Sequence, residues 1–243
     1  MNQVFGLIGK NLEHSFSKNY FEEKFKKQKL TYYKYINIAI EDISIIRDII
    51  KDHNIKGLNI TTPYKETVIP FLDDLSQNAQ KIQSVNTIQI IENKLIGHNT
   101  DIIGFEHSFL PILKKRRNIL VLGNGGASKA IQFVLKKNNL YYQVISRKLK
   151  LNYSKITKQL IKENLVIINT TCLGMYPNTT TLPELPYEEL SPKHLLFDLV
   201  YNPTETLFLK YGKKQKTEIK NGYEMLKIQA EESWKIWNPH ILE

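Results

Sequence analysis

Cysteine is nearly absent from this chain of 243 residues: Cys172 stands alone, so no internal disulfide can form, and a reducing, cytoplasmic setting is expected. No apolar run approaches the roughly 18–20 residues that a membrane span requires. The opening residues lack a basic segment followed by an apolar stretch, so neither a membrane anchor nor a signal peptide is expected. Arginine is scarce as well, with only Arg47, Arg116, Arg117 and Arg147 among 34 basic residues. A net charge of +10 could serve nucleic acid, but nucleic-acid readers enrich arginine and gather charge on one face. Here lysines are scattered in short groups, such as Lys24, Lys26, Lys27 and Lys29, or Lys213, Lys214 and Lys216. The charge therefore points away from nucleic acid, and a positive field is expected to collect small anionic substrates instead.

What remains is ordinary globular composition, 42% hydrophobic and 24% charged, with no repeat and no low-complexity segment. The first hundred residues alternate strand-like and helix-like segments. Residues 4–8, 32–38 and 56–60 read as strands; 17–27 and 41–53 read as helices, with Phe21 and Phe25 on one face of the first and Ile43, Ile46, Ile49 and Ile50 on the second. This order predicts βαβ units and a mainly parallel sheet. Residues 87–92 and 95–97 around Asn93-Lys94 predict a hairpin. A second series follows: strands 118–122, 142–146, 165–169 and 195–200, and helices 126–137, 154–162, 204–211 and 222–237. The basic stretch Lys114, Lys115, Arg116 and Arg117 reads as a hinge between two domains.

The apolar run Ile119-Leu120-Val121-Leu122 breaks into Gly123-Asn124-Gly125-Gly126-Ala127-Ser128. Strand, glycine turn and helix in that order suit a dinucleotide, because the backbone can approach a pyrophosphate and the helix amides face its charge. The motif is incomplete, since Ser128 stands where G-x-G-x-x-G has its third glycine, and a tight structural turn is the plainer alternative. At the end of the next strand, Ser146-Arg147-Lys148 carries no carboxylate to accept from a ribose hydroxyl. A hydroxyl and two cations suit a 2′-phosphate, so NADP is expected over NAD, the alternative being two solvated surface charges.

Four polar clusters occupy strand ends in the first hundred residues: His14-Ser15-Phe16-Ser17, Asn59 to Lys65, Ser84 to Thr87, and His98-Asn99-Thr100-Asp101. Hydroxyls and amides there suit a small polyhydroxylated acid in a crevice beyond the strand ends. Ser17, Thr61 and Asp101 could equally be helix N-caps, and Pro63 a first-turn proline. Lys65 and Asp101 are the pair able to do chemistry. Carbonyl reduction by hydride needs a proton for the nascent alkoxide, which a lysine can deliver while a carboxylate orients it.

Read together, Phe5-Gly-Leu-Ile-Gly9, His14-Ser-Phe-Ser17, Gly57-Leu-Asn-Ile-Thr-Thr-Pro-Tyr-Lys65, Val85-Asn-Thr87, Gly97-His-Asn-Thr-Asp101 and the glycine turn resemble the shikimate dehydrogenase family. Asn169-Thr-Thr-Cys-Leu-Gly-Met175, Asp198-Leu-Val-Tyr-Asn-Pro203 and the segment from Asn221 to Gln229 extend the resemblance along the whole chain. It implies reversible, NADP-dependent reduction of 3-dehydroshikimate to shikimate in aromatic amino-acid biosynthesis. It also implies a Lys65/Asp101 acid–base dyad, with Ser15 and Ser17 on the substrate carboxylate and Thr61, Asn86, Asp101, Tyr201 and Gln229 on the ring. Gly123, Asn124, Gly125, Gly126 and Ala127 would cradle the pyrophosphate, Ser146, Arg147 and Lys148 the 2′-phosphate, and Leu199 and Gly222 would lie near the nicotinamide. Departures from the family pattern are Lys18 for a proline, Phe21-Glu22 for His-Asn, Ile102 for a glycine, Ser146-Arg147-Lys148 for Asn-Arg-Thr, and Cys172 for a serine.

The expected fold is α/β: a substrate domain over 1–101, completed by a C-terminal helix over 223–243 that folds back on it, and a Rossmann-type NADP domain over 102–222. No metal site is expected, and the partners are a small-molecule substrate and, for the chain itself, a monomer or homodimer. Two alternatives stand beside this reading. One is a broader quinate/shikimate dehydrogenase using NAD; the other is a catalytically silent, cofactor-bound sensor.

Overall fold

The structure, a computed structural model, describes residues 2–10, 12–13, 15–147 and 149–242, so His14 and Lys148 lie outside the described residues. The chain divides into two compact units, Met1–Thr100 with Ala230–Glu243, and Asp101–Gln229.

In the first unit, strands β1 (Gln3–Gly9), β2 (Tyr33–Ala39), β3 (Ile55–Ile60), β4 (Asp74–Leu75), β5 (Thr87–Ile91) and β6 (Lys94–His98) form one sheet in the order β2-β1-β3-β5-β6-β4. Helices α1 (Phe16–Lys27), α2 (Ile46–Asp52), α3 (Tyr64–Thr67) and α4 (Gln77–Ile82) accompany it. The pairings β1–β2, β1–β3 and β4–β6 are parallel. Strand β5 is antiparallel to both neighbours; its pairing with β6 follows from the predicted hairpin, which turns tightly through Glu92 and Asn93, each at positive φ, and leaves no length for a crossover. The helix read over 41–53 starts later than its apolar pattern: Asp42 accepts from Ser44 N–H and sets a 3-10 turn, Ile43–Ile45, before α2.

Alternation along β1 feeds two cores. Val4 and Ile8 join Leu58, Ile60, Val85 and Ile88, while Phe5 and Leu7 join Phe21, Phe25, Tyr35, Ala230 and Trp234. The second core is mostly aromatic, with Phe21 stacked on Tyr35 at 4.6 Å between ring centroids. This accounts for one departure from the family pattern: Phe21, with no exposed surface, fills the middle of that cluster. Its neighbour Glu22 faces Lys18 at 3.8 Å, an exposed pair of little energetic weight. Phe21→Ala is expected to cost about 3–5 kcal/mol, which a thermal melt reads as a midpoint lower by roughly 10 °C; an unchanged midpoint would contradict this packing.

The second unit is built on β7 (Ile119–Leu122), β8 (Tyr142–Ile145), β9 (Val166–Asn169), β10 (Leu195–Asp198) and β11 (Glu218–Lys220), in the order β11-β10-β9-β7-β8 with every pairing parallel. Its helices are α5 (Asp101–Leu113), α6 (Gly126–Lys137), α7 (Lys158–Glu163), α8 (Leu207–Lys214) and the first part of α9 (Tyr223–Trp237), whose residues from Ala230 on belong to the first unit. Every residue of β7, β9 and β10 is buried, as a parallel sheet covered on both faces requires.

Two sequence readings need correction here. Helix α5 was not foreseen; Gly104 and Pro111 interrupt its pattern, yet Ile102, Phe105 and Phe109 all point inward. The stretch 114–117 is no hinge. Lys114 and Arg116 both reach Glu218 (2.8 and 2.9 Å), and Arg116 also donates to the Lys193 and His194 carbonyls, so this end of α5 is tied down within its own unit.

Candidate active site

Backbone hydrogen bonds in the first unit set three of the predicted residues side by side. Thr61 follows β3 and its N–H donates to the Ile8 carbonyl; the Ile60 N–H donates to the Asn86 carbonyl, and the Val85 N–H to the Lys65 carbonyl at 2.7 Å. Thr61, Lys65 and Asn86 are thereby held along neighbouring strand ends. Lys65 is half-buried on the single turn of α3, whose Tyr64 hydroxyl donates to the buried Ile40 carbonyl at 2.6 Å. Pro63 is the N-cap of α3 and so precedes the first turn, where the sequence allowed a first-turn proline.

Asn86 is fixed by its own side chain. Its Oδ1 accepts from Thr100 N–H at 2.7 Å and its Nδ2 donates to Thr100 Oγ1 at 3.0 Å. Behind it lies a buried polar network that motif reading did not resolve into roles. Asn59 Nδ2 donates to Ser233 Oγ and to Asn86 O, while Asn59 Oδ1 accepts from the Tyr35 hydroxyl at 2.7 Å. Burial raises the Tyr35 phenol above its usual range, so it stays a neutral donor; a hydrogen bond with Ser17 lowers it in part.

The plain capping readings of Ser17 and Thr61 do not hold. Ser15 is the N-cap of α1 and Ser17 lies inside the helix; Pro63, not Thr61, precedes α3. Ser15 makes no capping hydrogen bond, and its Oγ is buried without any hydrogen-bond partner. A buried hydroxyl without a partner is costly and suits a site that receives an anion's oxygen.

In the second unit, Asp101 is the first residue of α5 and 5% exposed, and Gln229 is 7% exposed on α9. The two helices pack closely at Gly104, where a Cβ would lie 2.6 Å from the Met225 carbonyl oxygen and 3.2 Å from Gln229 Cβ.

The glycine turn sits at the carboxyl end of β7, between β8 and β9, where the direction of winding reverses. Gly123 has φ +108°, a conformation that favours glycine, and a Cβ there would lie 2.6 Å from Thr170 Oγ1. Ser128 replaces the third glycine with a bond of its own, Oγ donating to the Gly123 carbonyl at 2.8 Å. Gly125 is the N-cap of α6, has no side-chain cap and opens onto space, with nothing within 4 Å of a built Cβ. The first turn of α6 also lacks an acidic residue. An uncapped, uncrowded helix N-terminus fits a pyrophosphate. Beyond β8, Ser146 is half-buried and Arg147 exposed.

Leu199 and Gly222 meet directly. The Gly222 N–H donates to the Val200 carbonyl, and a Cβ on Gly222 would stand 2.1 Å from the Leu199 oxygen. Tyr201, half-buried, follows in the same turn. One titratable group here departs far from its usual range: burial pushes Asp198 up to about 6 against three hydrogen bonds that favour its charged form. Sequence alone points to no role for Asp198. Among the described residues, no helix is long and apolar enough to cross a membrane.

Residues 7–88 match the family described as the shikimate dehydrogenase substrate binding domain. The chain is 35% identical to the shikimate dehydrogenase (NADP(+)) of Methanosphaera stadtmanae, over 96% of this chain and 90% of that protein. The crystal structure of shikimate dehydrogenase 1 from Peptoclostridium difficile superposes with a TM-score of 0.87 at 35% identity, covering 98% of this chain and 92% of that one. The Thermus thermophilus shikimate 5-dehydrogenase, solved with NADP(H) and shikimate, gives a TM-score of 0.81 at 28% identity, covering 98% and 94%.

Proposed function

The chain belongs to the shikimate dehydrogenase family and is an NADP-dependent oxidoreductase that interconverts 3-dehydroshikimate and shikimate, and we propose that Lys65 and Asp101 are its acid–base pair. The observation that carries the Lys65 half of this reading is the bonding of Lys65 and Asn86 to adjacent strand ends through Val85 N–H and Ile60 N–H, with Thr61 next in line; Asp101 enters through the family motif. Lys65 Nζ delivers a proton to the oxygen of the nascent alkoxide in reduction and takes it back in oxidation, while Asp101 orients the ammonium and balances its charge. Ser15 and Ser17 hold the substrate carboxylate; the buried, unpartnered Ser15 Oγ supports this. Thr61, Asn86, Tyr201 and Gln229 address the ring oxygens. The cofactor supplies the hydride when bound. Residues 123–127 would hold its pyrophosphate, Ser146, Arg147 and Lys148 its 2′-phosphate, and Leu199 and Gly222 its nicotinamide.

In this proposal 1–101 with 223–243 form the substrate domain and 102–222 the cofactor domain, which also lends Tyr201 to the substrate ring. A cytoplasmic site of action, as a monomer or homodimer, belongs to the same proposal; the lone Cys172 supports a reducing compartment. The test is a spectrophotometric assay of shikimate and of quinate, each against NADP and NAD. Shikimate with NADP should be the fastest pair by at least tenfold; a faster rate with quinate or with NAD would overturn the specificity.

Arg147→Ala isolates the phosphate contact. Charge-assisted hydrogen bonds are worth about 1.5–3 kcal/mol, so the KM for NADP should rise roughly 10–100-fold while that for NAD hardly moves. Equal effects on both cofactors would place Arg147 elsewhere.

A further inference from the structure

Asp198 ends β10 with no exposed surface, and its carboxylate gathers three neutral donors from three segments. Oδ1 accepts from Val200 N–H and from Asn169 Nδ2, each at 3.0 Å, and Oδ2 accepts from Thr206 Oγ1 at 2.6 Å. Asn169 ends β9 and in turn accepts from Thr171 N–H and Thr171 Oγ1 at 3.1 and 2.7 Å. Thr206 is the N-cap of α8. One buried side chain therefore joins the loops that leave β9 and β10 to the start of a helix.

A carboxylate only accepts, so each of these neighbours must turn a proton toward it. At Val200 this fixes the plane of the Leu199–Val200 peptide, and with it the carbonyl oxygen that lies against Gly222. Burial of a carboxylate facing only neutral donors is unfavourable, and burial raises its pKa to about 6. An amide of the same shape would be easier to bury, but it would turn an N–H toward one of these donors.

We propose that Asp198 is a positioning residue for hydride transfer, pinning the turn 199–201 to the end of β9 and the N-terminus of α8. It rests on the reading above that Leu199 lies by the nicotinamide and Tyr201 by the substrate ring. Neither role falls to Asp198 itself, which acts through the backbone of the residues that follow it.

The test compares Asp198→Asn, Tyr201→Phe and Leu199→Ala with the unaltered chain. The substrates are NADP and shikimate, the latter with and without deuterium at the carbon that surrenders hydride. Misplacement of a reacting group by about 1 Å can cost 10²-fold, so Asp198→Asn should lower kcat about 10–100-fold. It should also raise the isotope effect on kcat as hydride transfer becomes rate-limiting, in protein that still melts cooperatively above the assay temperature. A purely structural role would lower the melting midpoint and leave the isotope effect alone. Should Asp198→Asn not fold, Thr206→Val removes the Oδ2 donor together with the α8 cap bond from Leu209 N–H, and its isotope effect, which loss of a cap alone would not raise, carries the same comparison. An unaltered kcat and isotope effect, beside an impaired Tyr201→Phe, overturns the proposal and leaves the reading of the site standing. Unaltered Tyr201→Phe and Leu199→Ala overturn that reading, and the proposal with it.

Discussion

Replacing Lys65 by alanine is expected to lower turnover about a thousandfold while the KM for shikimate changes less than threefold. General acid–base groups contribute roughly 10²–10⁴ in rate, and the loss should appear in kcat because the proton is needed only as the alkoxide forms. The position suits a clean measurement. The Lys65 carbonyl is bonded to Val85 N–H, and its neighbour Tyr64 is anchored through a buried hydroxyl, so truncation of a half-buried side chain leaves both supports intact. The melting midpoint should stay within a few degrees of wild type. A kcat within tenfold of wild type would remove Lys65 from the chemistry.

Gly222→Ala should be damaging in another way. A Cβ there would stand 2.1 Å from the Leu199 oxygen, 2.6 Å from its carbonyl carbon and 3.1 Å from its Cα, all backbone atoms that no side-chain rotation can move aside. Leu199 cannot retreat, because its N–H is bonded to the Asn169 carbonyl at 2.9 Å and the next residue's N–H to Asp198. Overpacking typically costs 1–3 kcal/mol, and a clash between two backbones lies at the upper end, so the midpoint should fall by roughly 5–10 °C. Because the displaced turn carries Leu199 and Tyr201, kcat/KM for NADP should drop at least tenfold as well. Gly125→Ala gives the contrast. With nothing within 4 Å of its Cβ, it should leave the midpoint almost unchanged and raise the KM for NADP. Equal midpoints for the two variants would show that the space at Gly222 is not as tight as its surroundings indicate.

Local signals were the legible ones. The β7 strand, the glycine turn and α6 could be read from sequence because apolar run, glycines and helix formers are adjacent in the chain. The hairpin β5–β6 was legible for the same reason, and the rest of the first sheet is mainly parallel as expected. Helix α5 was lost because Gly104 and Pro111 mask its period, although Gly104 has a clear purpose in letting α9 approach. The Asn59–Ser233 bond joins residues 174 positions apart, and no spacing rule could have foretold it. Asp198 was visible as a letter in a motif, but its meaning depends on donors from β9 and α8. Thr61, Lys65 and Asn86 were legible as residue types, and only the strand register shows that they are neighbours.

The aromatic core of the first unit has a consequence for how the protein is made. That core takes Trp234 and Trp237, the only two tryptophans in the chain, from the far end of the sequence, whereas the second unit is drawn from one continuous stretch. Chains emerge at about 5–20 residues per second, so residues 1–100 must wait roughly ten seconds or more before the helix that completes their core exists. During synthesis the second unit has all its own residues first, while Phe5, Phe21 and Phe25 remain without the indoles that cover them. Since both indoles lie in that late segment, tryptophan emission is a built-in signal for the last event in folding, the capture of the returning helix by the part of the chain that was made first.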